Sequence, residues 1–292
     1  MLKLSTILGS LFYLLPVYIF VIAPVLRQIF PPPEPNLTFD PDDAAAGDLD
    51  LPLLNGSIFS LDDGVEVTCA PDNYRVHILR HDPLVIYIED FLSSEEADHL
   101  AKMSLKSYTP SIIYDGTTEK IDPTTRLSDR ALLDRDTTVR CLENRAKAFQ
   151  GWKPHLYIER MWAQRYNASG HYKHHYDWVG SSARGGDRAS TFMVYLGDEC
   201  KGGGTTFPRF KMPRDEKWCR FLDCEEKADG EGREGVTFKV IKGNAIFWEN
   251  LRADGSGYLE TWHAALPVTE GVKVGLNIWS WYQPPGWRMG RV

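Results

Sequence analysis

The sequence predicts a closed or double-sheet β architecture with flanking helices, set behind an apolar amino-terminal anchor. Cupin-type jelly rolls are one class of this kind. Three observations carry the prediction. From residue 155 onward, short runs rich in β-branched and aromatic residues recur between turn signals. Two helical patterns, at residues 93–103 and 137–149, precede them. Residues 4–26 form a predominantly apolar stretch without a charged side chain.

The apolar stretch, LSTILGSLFYLLPVYIFVIAPVL, is long enough to span a bilayer, which needs about 20 apolar residues. A cleavable signal peptide is the competing reading, but its apolar region is normally about 7–15 residues with a small-x-small cleavage site. An uncleaved signal anchor over 4–26 is therefore expected, with residues 1–3 as a short cytoplasmic tail. Lys3 and Arg27 nearly balance across it, so flanking charge decides no orientation. Pro31-Pro32-Pro33, Pro35 and the acidic run from Asp40 to Asp50 mark residues 27–64 as an extended, solvated stalk. The remaining domain is expected over 65–292.

Three Asn-x-Ser/Thr sequons, at Asn36, Asn55 and Asn167, favour a lumenal glycoprotein. Five cysteines permit disulfides there, and Cys219 with Cys224, bracketing a four-residue loop, are the expected pair. The net charge of −7 argues against a nucleic-acid-binding face.

Within the domain, Leu84-Val85-Ile86-Tyr87-Ile88 reads as a buried strand. Ser93 and Glu96 then fit a capping box that opens a helix bearing Ala97, Leu100, Ala101 and Met103. Residues 137–149 are the second helix. Thr124 to Ser128 is polar and irregular, a substrate loop or a plain surface loop. Residues 155–166, 191–196, 236–241, 245–249, 259–268 and 272–282 read as strands. Gly202-Gly203-Gly204 is a tight turn into a short strand, without the Lys and following helix of a phosphate loop.

Two stretches carry chemistry: His174-His175-Tyr176-Asp177 and Thr261-Trp262-His263. On a strand, side chains alternate with period 2, so His175 and Asp177 project together. With His263 they make a two-His-one-carboxylate set, which fills one face of an octahedron and suits non-haem Fe(II). On its own the His-x-Asp tripeptide is more often a surface hydrogen-bond pair than a metal site, and it is the motifs around it that favour a metal. Lys273 shares a strand face with Gly275, Asn277 and Trp279. It is either a solvent-facing lysine at a strand end or a buried ammonium awaiting an anion.

Several spaced motifs now appear in one order: PLVIYIEDFLSSEEADHL, TVRCLENRAKAF, QRYNASGHYKHHYDW, RASTFMVYLGD, GGGTTFP, KGNAIFWENL and TWHAALPVTEGVKVGLNIWSWY. From about Val85 to Tyr282 the chain resembles the catalytic domain of prolyl 4-hydroxylase α-subunits, a branch of the 2-oxoglutarate/Fe(II) dioxygenases. The resemblance implies an α+β fold with a double-stranded β-helix (jelly-roll, cupin-like) core. It implies Fe(II) on His175, Asp177 and His263. Lys273 lies ten residues after His263 (273−263), where the family pairs its lysine with 2-oxoglutarate. Tyr166 and Thr205 fall at co-substrate contacts, and Arg188, Arg126 and Trp279 are substrate candidates.

The implied reaction hydroxylates peptidyl proline at C4, consuming O₂ and 2-oxoglutarate and releasing succinate and CO₂, with L-ascorbate to restore oxidised iron. The implied setting is the endoplasmic reticulum membrane, single-pass type II, with a lumenal catalytic domain. Two other readings remain: the same chemistry on lysine, a free amino acid or a small metabolite, and a non-catalytic lumenal binding module. Gly204 departs from the family's usual acidic residue, and 209–235 is a charged insertion. No peptide-binding domain of the collagen-enzyme type is read before the match, which leaves collagen in question as substrate.

Overall fold

The computed structural model describes residues 54–114, 118–181, 186–224 and 234–283, together with Tyr18. Apart from Tyr18, the expected anchor and the stalk as far as residue 53 lie outside the described residues, as does the sequon Asn36. Among the described residues, no helix is long and apolar enough to cross a membrane. Leu49–Val292 form one compact unit.

Two antiparallel sheets make the frame. The larger runs Arg75–His81, Leu84–Glu89, Ala245–Glu249, Asp187–Gly197, Lys273–Tyr282, Trp162–Tyr166, Asp129–Leu132, Thr109–Pro110, with Leu156–Ile158 also on Lys273–Tyr282. The smaller runs Glu234–Phe238, Thr205–Lys211, His263–Ala265, His171–His175, Arg126–Leu127. This strand-rich double sheet fits the expected jelly-roll core.

Strand alternation divides the interior in two. Ile86, Ile88, Phe192, Val194, Phe247, Leu276 and Ile278 point from one face of the large sheet into a cluster with Leu100, Val139 and Leu142 of the helices. Their strand neighbours Tyr87, Met193, Tyr195, Ile246 and Trp248 point from the opposite face toward Phe207, Val236 and Phe238 of the small sheet. Each large side chain so buried contributes roughly 1.5–3 kcal/mol.

The first helix, Ser94–Ser104, begins where the capping box placed it. Glu96 N–H donates to Ser93 Oγ at 3.2 Å, and Ser93 N–H donates to Glu96 Oε2 at 2.9 Å. Glu96 also receives Arg145 at 2.8 Å, which ties this helix to the second, Thr137–Phe149. That helix is capped by Asp136, whose Oδ1 accepts from Val139 N–H at 3.0 Å.

Four expectations are corrected. The strand expected over 259–268 is a 3-10 turn at Leu259–Thr261 and two strands, His263–Ala265 and Val268–Gly271. Pro267 has no N–H to give a ladder, so pairing stops there. The stretch 155–166 is two strands, Leu156–Ile158 and Trp162–Tyr166, on the same neighbour. Ile158 opposes Ser280 and Trp162 opposes Asn277, four steps against three, so one extra residue bulges between them. Asp177 lies just past its strand, which ends at His175. Finally, the compact body begins before residue 65: Leu54, Phe59 and Ser60 are buried, so the last residues of the expected stalk pack as part of the domain.

Cys219 pairs with Cys224, the bridge suggested by their spacing. Cys69 also pairs with Cys141, 72 residues away. Beside it Arg140 Nη1 meets Asp63 at 2.7 Å and Arg145 Nε meets Asp72 at 2.5 Å, strapping residues 63–72 to the second helix. Replacing Cys69 and Cys141 by Ser is expected to cost about 2–5 kcal/mol, read as a lowered urea midpoint.

Candidate active site

His175 and His263 are direct cross-strand partners in the small sheet. Such opposition brings side chains on one face together, and the two imidazole centroids lie 4.3 Å apart. Asp177, 4 % exposed, folds back beneath them, its Oδ1 3.6 Å from His175 Nε2 and 3.9 Å from His263 Nε2. One donor atom from each of the three lies within 4.8 Å of the others.

The second nitrogen of each ring is already engaged. His175 Nδ1 sits 2.8 Å from the Lys173 carbonyl and His263 Nδ1 sits 2.9 Å from the Thr261 carbonyl. A carbonyl only accepts, so the proton belongs on Nδ1 and each Nε2 lone pair faces the centre. Burial, and then the neighbouring His175, depress His263 to about 4, so it is neutral and ready to ligate at neutral pH. Burial pushes the Asp177 carboxyl up, but His263, His175 and Arg188 outweigh it and hold the group below the usual carboxylate range.

Behind Asp177 runs a buried polar relay. Thr191 Oγ1 donates to Asp177 Oδ2 at 2.7 Å, Asn250 Nδ2 donates to Thr191 Oγ1 at 2.9 Å, and Trp248 Nε1 donates to Asn250 Oδ1 at 2.8 Å. The relay occupies Oδ2 and leaves Oδ1 for a cation. Thr191→Val is expected to weaken iron binding about 10–100-fold, as loss of a hydrogen bond to a ligand does. Anaerobic iron titration reads this, with Thr191→Ser retaining affinity.

Lys273 lies at the other end of the same inter-sheet space. It is 1 % exposed, opposite Tyr166 in register, with Nζ 5.2 Å from the Tyr166 ring and 5.5 Å from that of Tyr195. Nζ donates to the Gly203 carbonyl at 2.6 Å. Gly203 has φ +71, and a Cβ there would meet Lys273 Cδ at 3.3 Å, so the turn approaches this closely only as glycine. Among the described residues Lys273 has no carboxylate partner in an ion pair. Burial draws its pKa down to about 8. Thr205 Oγ1 and Tyr195 Oη hydrogen-bond at 2.9 Å beside it. Thr205 opposes Ala265, two residues from His263, which joins the two ends. Gly204, the departure from the family pattern, has no room for a side chain: a Cβ would lie 2.7 Å from Thr237 Cγ2.

A cleft of ≈ 280 Å³ opens over His175 and Asp177, lined also by Arg126, Glu159, Tyr172, Arg188 and Trp279. All three candidate substrate residues thus reach it. The Arg188 guanidinium stacks 3.7 Å over Trp279, and that of Arg126 lies 4.6 Å over Tyr172. Trp279 Nε1 is buried without a hydrogen-bond partner. Sequence reasoning missed Thr191, Tyr195, Asn250 and Glu159. Alternation along 191–196 would have placed Thr191 and Tyr195 on one face, but nothing in the spacing distinguishes that face from the core.

A profile of the 2OG-Fe(II) oxygenase superfamily matches residues 161–281, the segment that carries every one of these groups except Arg126 and Glu159. Over this segment the chain is similar to that superfamily. Among similar proteins, probable prolyl 4-hydroxylase 7 of Arabidopsis thaliana is 29% identical over 218 residues, 71% of this chain and 66% of that protein. Prolyl 4-hydroxylase subunit alpha-3 of Mus musculus is 28% identical over 216 residues, 70% of this chain and 35% of that protein. The chain therefore spans just under two thirds of the plant protein and about a third of the animal subunit. Its fold matches a crystal structure of the viral collagen prolyl hydroxylase of Paramecium Bursaria Chlorella virus-1, a 2OG complex. The TM-score is 0.51 at 25% identity, covering 68% of this chain and 96% of that one.

Proposed function

We propose that this oxygenase hydroxylates peptidyl proline at C4, using Fe(II), 2-oxoglutarate and O₂. The observation that carries the reading is the convergence of His175, Asp177 and His263, with both Nε2 atoms and Oδ1 free to ligate. Two neutral imidazoles and one carboxylate suit Fe(II) with open positions. Iron and 2-oxoglutarate together supply the oxidation of a C–H bond by O₂, with release of succinate and CO₂.

The chain's own residues do the rest. His175, Asp177 and His263 hold the metal. Lys273 pairs with the distal carboxylate of 2-oxoglutarate, with Tyr166 and Thr205 beside it and the Tyr195 hydroxyl as a further donor. An unpaired buried ammonium is costly, and a bound anion relieves the cost. Trp248 and Phe207 pack against His263 and keep that side dry. Arg188, Arg126 and Trp279 line the wall that contacts the peptide.

The setting belongs to the same proposal. An apolar run over 4–26 supports a signal anchor in the endoplasmic reticulum membrane, type II, and two disulfides support a lumenal, oxidising domain. Asn55 is exposed and suits glycosylation, as does the sequon at Asn36. L-ascorbate is the reductant proposed to keep the iron ferrous.

The test measures succinate formed from 2-oxoglutarate with Fe(II), ascorbate and O₂, with and without a blocked ten-residue proline-rich peptide. Peptide-stimulated succinate, with one oxygen gained on a proline and assigned to C4 by NMR, is the expected result. Iron-dependent succinate that no proline peptide stimulates would overturn proline as the substrate.

A further inference from the structure

We infer that residues 58–60, ahead of the family match, are positioning residues that set the peptide-binding wall through Glu159. The inference rests on the proposed function, because it takes Arg188 to face the peptide.

A bulge separates Leu156–Ile158 from Trp162–Tyr166. A bulge re-aims side chains and leaves ladder groups unpaired. Here it turns Glu159 into the cleft, where Arg188 Nε and Nη2 grip its two carboxylate oxygens at 2.7 and 2.9 Å. That two-point grip holds the guanidinium flat on Trp279. The main chain of the bulge is held from both sides. Glu159 N–H donates to the Trp279 carbonyl at 2.9 Å on one side.

On the other side Phe59 bridges to Glu159, Ser60 N–H donates to Ile158 O at 2.8 Å, and Arg160 N–H donates to Ile58 O at 2.7 Å. Phe59 is 8 % exposed, its ring 5.8 Å from that of Trp281. Trp281 in turn opposes both Arg188 and Tyr157 in the sheet. Ile58–Ser60 thus closes the outer edge of the bulge and fixes the angle at which Glu159 presents its carboxylate. The Asp63 ion pairs with Arg135 and Arg140 and the Cys69–Cys141 bridge fasten the segment further along, away from the cleft.

The experiment is steady-state kinetics on full-chain variants with the same proline-rich peptide, together with its calorimetric Kd under argon. Phe59→Ala is expected to raise the peptide KM and Kd about tenfold, while the 2-oxoglutarate KM and kcat stay within about twofold. Phe59→Leu, a milder change that loses the ring contact, shows a smaller rise in the same direction, and Phe59→Tyr restores wild-type values. Glu159→Gln raises the peptide KM comparably, and adding Phe59→Ala to it gives no further rise, because one path carries both effects. Asp63→Asn lowers Tm but leaves the peptide KM unchanged. An unchanged peptide KM in both Phe59→Ala and Phe59→Leu, with wild type stimulated by peptide, would overturn this inference alone. So would rises from Phe59→Ala and Glu159→Gln that multiply. A wild type without peptide-stimulated succinate would overturn the functional reading and this inference with it.

Discussion

His263→Ala abolishes iron-dependent succinate formation and lowers bound iron in anaerobically loaded protein. His263 is 6 % exposed, and its Nε2 is one of three donor atoms that converge within 4.8 Å of one another. Removing it leaves one imidazole and one carboxylate, too few to hold a borderline cation on a fixed face. His175→Ala has the same outcome. Far-UV circular dichroism should be little changed, because the backbone pairing of His175 with His263 needs neither ring. Iron-dependent turnover persisting in His175→Ala would sink the triad.

Lys273→Ala raises the KM for 2-oxoglutarate about a hundredfold or more, in keeping with the ~3–5 kcal/mol lost when one partner of a buried ion pair is removed. Peptide KM and iron content change little. The pH dependence gives a second reading of the same group. Burial lowers Lys273 to about 8 in the free site. Below that pH the ammonium is charged and meets the dicarboxylate directly. Above it, binding must first take up a proton, so 2-oxoglutarate affinity falls about tenfold per pH unit until the pKa of the bound form is reached. Lys273→Arg stays charged throughout this range and flattens that fall, whatever it costs in fit. Unchanged 2-oxoglutarate dependence in Lys273→Ala would rule out the role proposed for it.

Much of this protein was legible in order along the chain. The capping box at Ser93 and Glu96 and the β-branched strands are local signals, decided by neighbours within a few residues. The spacing of His175 and Asp177 suggested the candidate ligands, although the structure sets Asp177 just past its strand, so period 2 is not what unites them. Their union comes from Thr191, which pulls the carboxylate inward, and from the register that opposes His175 to His263.

Other features had no local signal. Lys273 at the head of a strand could face water or core with equal grammar. Only the packing of Tyr166, Tyr195 and the Gly203 carbonyl around it buries the amine. Cys69 and Cys141 are far apart in sequence, and loop closure over that distance leaves no pattern to read. The Pro/Asp-rich stalk continues in composition past residue 60, yet Phe59 belongs to the domain because Glu159 and Trp281 lie where its backbone and ring can reach them.

The sequence by itself determined most element types, the family resemblance and the identity of the groups able to bind metal, because residue type and short-range spacing encode these. Tertiary structure alone decided which faces meet. It set which hydrogen bonds orient each ligand, whether a lysine keeps its charge in the interior, and where the amino-terminal segment joins the site. Those depend on contacts between residues tens to hundreds of positions apart, whose energies exist only once the two sheets have closed on each other.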